Sequence, residues 1–98
     1  MNIGIKKNAE ETIIEIAGRL DTITAPELEK TIESDASDVT KLILDVNGME
    51  YISSAGLRVL LSVQKKMSKR GTMTVKNVCP EVMEVLEITG FTDILTIE

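Results

Sequence analysis

Two adjacent hydroxyls, Ser53 and Ser54, followed by Ala55 and Gly56, are the side chains of this chain best placed by type and spacing for chemistry. The apolar run Leu42-Ile43-Leu44-Asp45-Val46 precedes them and a helical period starts at Ala55, so the pair falls where a buried strand hands over to a helix. Such a junction has three uses. A serine oxygen can accept a hydrogen bond from a first-turn backbone N–H and cap the helix, which stabilises it by typically about 1 kcal/mol. A phosphate on one serine would be stabilised by the unpaired N–H groups and positive dipole end of the helix, and would add about −1.5 to −2 charges. A serine nucleophile would need a base, but the chain has no histidine, and Lys65, Lys66 and Lys69 lie well down the helix. An enzyme is therefore not expected. Capping and phosphorylation are compatible, because one serine can cap while its neighbour presents its hydroxyl.

Composition narrows the field further. Ninety-eight residues make one domain, 1–98, with a single modest core. One Phe, one Tyr, no Trp and a net charge of −5 leave neither the rings to stack on bases nor the field to hold a phosphate backbone. No nucleic-acid partner is expected. Cys79 is alone and cannot form an internal disulfide; the acids lack calcium-loop spacing and no glycine-rich phosphate loop occurs, so neither metal nor cofactor is expected. No apolar stretch nears the roughly 20 residues of a membrane span, and Met1–Lys7 lacks the apolar centre of a signal peptide. The expectation is a cytoplasmic protein without direct membrane insertion. Acids outnumber bases eleven to five in residues 1–50, whereas bases lead six to five in residues 51–98. The basic cluster Lys65, Lys66, Lys69 and Arg70 reads as a solvated helix face or as a docking patch for an acidic partner.

The elements that must position the junction follow from period and punctuation. Ile3 and Ile5, a polar turn at Asn8-Ala9-Glu10, and Thr12–Ile16 predict a β-hairpin. Gly18–Thr22 reads as a loop. Thr24-Ala25-Pro26-Glu27 reads as a helix start with Thr24 as cap and Glu27 reaching back; Leu28 and Ile32 form the inner face, and the helix ends near Ser34 to Ser37. Leu42–Val46 is predicted to be a central strand covered on both faces, with Asn47–Ser54 as the loop beyond its carboxyl end. The next helix, lined by Leu57, Leu60, Leu61 and Met67, stops at Gly71. Thr72–Val75 is a strand, and Pro80 opens a third helix just after Cys79, carrying Val82, Val85 and Leu86 and closing at Gly90. The tail Ile94–Ile97 is a strand or a helical turn. The fold class is α/β: a small single domain with a mixed, mostly parallel sheet of four to five strands, an amino-terminal hairpin, and helices packed on the sheet.

Leu42–Val46 followed by Tyr51-Ile52-Ser53-Ser54-Ala55-Gly56-Leu57-Arg58-Val59-Leu60-Leu61 resembles the core signature of STAS domains, in particular bacterial anti-sigma factor antagonists. Gly18-Arg19-Leu20-Asp21, Lys76-Asn77-Val78 and Thr89-Gly90-Phe91 extend the likeness over essentially the whole chain. The resemblance implies partner switching in transcription regulation. The unphosphorylated antagonist binds an anti-sigma factor that is also a serine kinase, which frees a sigma factor; phosphorylation ends binding, and a metal-dependent serine phosphatase restores the hydroxyl. Matching the family's Asp-Ser-Ser-Gly to Ser53-Ser54-Ala55-Gly56 implies Ser54 as phosphoacceptor. Two positions depart from that pattern: Ser53 stands where an acid is frequent, and Ala55 replaces the second serine. The implied partner surface comprises Asp21, Thr22, Ser53, Ala55, Gly56, Leu57 and Arg58. For Asp21 a turn-forming role is the other reading. The rival function is a soluble STAS subunit of a lipid or anion transport complex, or of a stress-signalling assembly.

Overall fold

Ile3 and Ile5 stand opposite Ile16 and Ile14 in an antiparallel pair between β1 (Asn2–Lys7) and β2 (Thr12–Leu20), the expected hairpin. Asn8 closes its turn, since Oδ1 accepts from the backbone N–H groups of Glu10 and Glu11 at 2.9 and 2.8 Å. In this computed structural model, which describes all 98 residues, strands and helices then alternate. They run α1 (Ala25–Asp35), β3 (Lys41–Ile52), α2 (Ser54–Ser68), β4 (Thr72–Lys76) and α3 (Pro80–Ile88). Of the two forms expected for the tail Ile94–Ile97, the strand occurs, as β5 (Thr96–Ile97), with a 3₁₀ turn at Phe91–Asp93 just before that segment. The five strands lie in chain order, with β2 to β5 parallel. No helix is long and apolar enough to cross a membrane.

Crossovers that step in one direction across a sheet leave all their helices on one face. The core shows this: Leu28 of α1, Leu60 of α2 and Leu86 of α3 share one cluster with Ile14, Leu44 and Val75, which project to the same side of the sheet. The expectation of a central strand covered on both faces is therefore corrected. Ile43 faces the side without helices and is nevertheless only 7% exposed. Its neighbours in register, Ile13 and Thr74, flank it. An isoleucine shielded by the sheet's own side chains makes the run look continuously apolar.

The second correction concerns length. Strand β3 does not stop at Val46 but continues through Asn47–Ile52, and β2 continues through Gly18–Leu20, so two predicted loops are paired strand. The inward residues of β3 are Leu42, Leu44, Val46, Met49 and Ile52, so the two-residue step becomes three at two places. Those places coincide with register shifts against β2 between Glu15 and Ala17 and between Gly18 and Arg19. Each bulge adds a residue to β3 and breaks the alternation that identifies a strand. Gly48 fits the first one because a Cβ there would sit 2.6 Å from the Cβ of Ala17.

Helix ends also differ from expectation. Thr24 precedes α1 but makes no side-chain cap bond; its hydroxyl accepts from the Asp21 N–H at 2.9 Å and donates to the Arg19 carbonyl at 2.7 Å. Gly71 follows α2 without a left-handed conformation. It is needed for closeness, because a Cβ there would collide with the Thr40 carbonyl. Arg70, read above as part of a solvated helix face or of a docking patch, donates from Nε to the Val39 carbonyl and from Nη2 to the Ala36 carbonyl, both at 3.0 Å. Gly90 is left-handed (φ 80°) after α3; Cys79 is the N-cap residue of that helix but makes no side-chain cap bond, its Sγ donating instead to the Met49 carbonyl of β3 at 3.3 Å.

Candidate functional site

The extensions of β2 and β3 end side by side, with Leu20 paired to Ile52, and this brings Asp21–Thr24 and Ser53–Ser54 together at the edge formed by the carboxyl ends of these two strands. The Ser53 N–H donates to the Leu20 carbonyl at 2.9 Å. Ser53 itself is extended (φ −99°, ψ 176°) and is the N-cap of α2, its Oγ accepting from the Gly56 N–H at 3.4 Å. That bond is long, so the cap is at the weak end of its usual range. Ser54 is the first residue of α2, is exposed, and has no hydrogen-bond partner for its hydroxyl in the protein. The two serines thus divide the roles that the sequence left open between them. Ser53 holds the helix start and Ser54 presents its oxygen.

Gly56 is buried, and a Cβ on it would lie 2.8 Å from Leu20 Cγ and 2.9 Å from Ile52 Cγ1. It seats the helix start against both strand ends. Leu57 is likewise in the core. Of the residues expected to meet a partner, Gly56 and Leu57 therefore act from inside, Ser53 and Ala55 are half-buried, and Thr22 and Arg58 are exposed. Arg58 enters none of the four ion pairs of the chain.

Asp21 is a turn former. Its Oδ1 accepts from the N–H groups of Ile23 and Thr24 at 3.0 and 3.1 Å, with the Thr24 hydroxyl 3.1 Å away, while Oδ2 is 3.9 Å from Arg19 Nε. The Thr24 backbone N–H above all, helped by Ile23 and Arg19, holds its carboxyl below the usual range despite an opposing desolvation. The carboxylate so fixed shapes the turn that carries Thr22 and Ile23.

Two features at this edge were missed. Ile23 is 85% exposed at the tip of that turn, and Tyr51 is 40% exposed with the Arg19 guanidinium 4.0 Å over its ring. An isoleucine between threonines was a visible signal for the first. Tyr51 gave none, because its segment did not read as strand and its face could not be assigned. Chemically, the edge offers an unengaged hydroxyl at a positive helix end, with no neighbouring base. It is suited to accept a group delivered by another protein.

The model of the STAS domain family matches residues 2–98. The anti-sigma-B factor antagonist of Bacillus subtilis (strain 168) is 28% identical over 98 residues, covering 99% of this chain and 90% of that protein. An anti-sigma factor antagonist from Mycobacterium paratuberculosis superposes with a TM-score of 0.88 at 23% identity, over 98% of this chain and 83% of that one. The Bacillus cell fate determinant SpoIIAA in its phosphorylated form superposes with a TM-score of 0.75 at 17% identity, over 99% and 91%. The structural likenesses show the fold.

Proposed function

The chain belongs to the STAS domain family, and we propose that it is an anti-sigma factor antagonist acting by partner switching, with Ser54 as the switched residue. The observation that carries this reading is the exposed, unpartnered Ser54 hydroxyl at the start of α2, beside a neighbour that already caps the helix. The similarity to the Bacillus subtilis anti-sigma-B factor antagonist along nearly the whole of both chains supports it. In the unphosphorylated state the edge formed by Thr22, Ile23, Ser54 and Arg58 binds an anti-sigma factor that is also a serine kinase, and a sigma factor is released. In the kinase step Ser54 Oγ attacks the γ-phosphorus of ATP, an O–P bond forms, ADP leaves, and the hydroxyl proton passes to a base of the kinase. A metal-dependent serine phosphatase then transfers the phosphoryl group to water and restores the hydroxyl. The switch operates in the cytoplasm.

The energetics suit such a switch. Phosphate brings about −1.5 to −2 charges into a surface that must be desolvated on binding. An unpaired charge buried in an interface costs several kcal/mol, and about 5.5 kcal/mol moves a two-state equilibrium from 99:1 to 1:99. The test is incubation with the anti-sigma factor kinase of the same organism and ATP, followed by peptide mass mapping. One phosphate on the Ser54 peptide is expected, with Ser54→Ala unlabelled but still bound and Ser54→Asp released. Label on any other residue would sink the assignment.

A further inference from the structure

We infer that Arg58 captures the phosphate of phosphorylated Ser54 within α2, so that modification both adds charge and withdraws a cation from the partner surface. This rests on the reading of Ser54 as the acceptor. Ser54 and Arg58 are both exposed and four residues apart on one helix. Residues so spaced are neighbours on the helix surface, with Cβ atoms about 5–6 Å apart. Helical side chains lean towards the amino terminus, so the long arm of Arg58 extends over the turn that begins at Ser54. An anion on the amino-terminal side of a cation is also the favourable order for such a pair.

In the unmodified chain Arg58 has no competing commitment. The four ion pairs are Lys6–Glu15, Arg19–Asp21, Lys41–Glu11 and Lys66–Glu33. Glu29 of α1 shares a shallow groove with Arg58 but does not come within ion-pair distance, and Lys65 lines the same groove as a second cation. A cation this near a helix start opposes the helix dipole, and phosphate at Ser54 reverses that local imbalance. The guanidinium fork matches two phosphate oxygens at once, which a lysine ammonium does not. Before modification Arg58 is therefore free to meet an acidic group of the partner; afterwards it is held by its own helix.

The experiment installs phosphoserine at position 54 during translation, which removes any dependence on a kinase, and titrates it by phosphorus NMR. The second phosphate pKa is expected to be about half a unit lower in the parent than in Arg58→Gln, with Arg58→Lys between them. Alkaline phosphatase is expected to release phosphate faster from the Arg58→Gln protein. Coincident titration curves for parent and Arg58→Gln would overturn the capture while leaving the switch intact. Kinase labelling away from Ser54 would overturn the switch while leaving this measurement valid.

Discussion

The two ends of α2 are built from similar residues and are engaged differently. At its start stand Ser53, Ser54, Gly56 and Arg58; just past its end stand Arg70 and Gly71. The far end is committed to structure: Arg70 donates to the carbonyls of Ala36 and Val39, which follow α1, and Gly71 passes against the Thr40 backbone. At the near end Gly56 and Ser53 are engaged, but Ser54 and Arg58 are exposed, without the long-range bonds that hold Arg70. Residue type does not separate a structural junction from a functional one. Long-range partners do, and an unengaged cation beside an unengaged hydroxyl marks the end that is free to meet another molecule.

The sharpest contrast is between the glycines. Gly71→Ala places a methyl group onto the carbonyl of Thr40, backbone that cannot rotate aside and that leads directly into paired β3. Overpacking of this kind costs typically 1–3 kcal/mol, and the rigid neighbour puts this case near about 3 kcal/mol. For a domain of this size that lowers Tm by roughly 12 °C or more. Gly56→Ala meets only the side chains of Leu20 and Ile52, at 2.8 to 3.0 Å, and is expected to cost about 1–2 kcal/mol. Thermal denaturation of both variants measures the difference. Equal losses would break the distinction between a backbone contact and a side-chain contact.

The arginines give the next effect. Arg70→Ala removes two hydrogen bonds from a charged donor and leaves the Ala36 and Val39 carbonyls without that partner, an expected cost of about 1–2 kcal/mol in urea denaturation. Arg58→Ala, which breaks no bond of the isolated chain, should stay within about 0.5 kcal/mol of the parent. Under the proposed function its effect should appear instead in affinity for an anti-sigma factor, as a loss of about tenfold once the interface has desolvated it. A destabilisation by Arg58→Ala equal to that of Arg70→Ala would place both ends of α2 in the same class.

Much of this was legible in the residues. The order of elements, the hairpin, the helix starts at Ser53/Ser54 and Pro80, and the inner faces marked by Leu28, Ile32, Leu60 and Leu86 follow from local period and punctuation. What escaped depends on contacts between distant segments. The second half of β3 was invisible because two bulges shift its inward step from two residues to three, and only pairing with Gly18–Leu20 makes Asn47–Ile52 a strand. Thr24 looks like a cap in sequence, yet its hydroxyl is taken by Arg19 and Asp21. Arg70 looks like a surface charge because its acceptors lie 31 and 34 residues away. At the site, only the family resemblance pointed to Ser54; the residues by themselves left the division between the two serines open, since that depends on which residue is extended and which is helical.

The smallest effect concerns the turn that flanks Ser54, and its sign follows from charge. The Asp21 carboxyl is held below its ordinary value chiefly by the Thr24 N–H. A group whose pKa is depressed by folding adds stability that is fully present above its unfolded value, near 4, and fades as pH falls through the folded one. Asp21→Asn keeps an oxygen able to accept the same N–H bonds but removes the charge. It should therefore melt slightly below the parent at about pH 6, and the gap should close towards about pH 2. A gap that is constant with pH would show that the ionised form contributes nothing and that the turn is held by shape alone. The same variant sharpens the comparison of junctions: a carboxylate used only to form the turn leaves anti-sigma factor binding intact in Asp21→Asn at pH 7. A loss of binding larger than the loss of stability would add Asp21 to the contact surface proposed for Arg58.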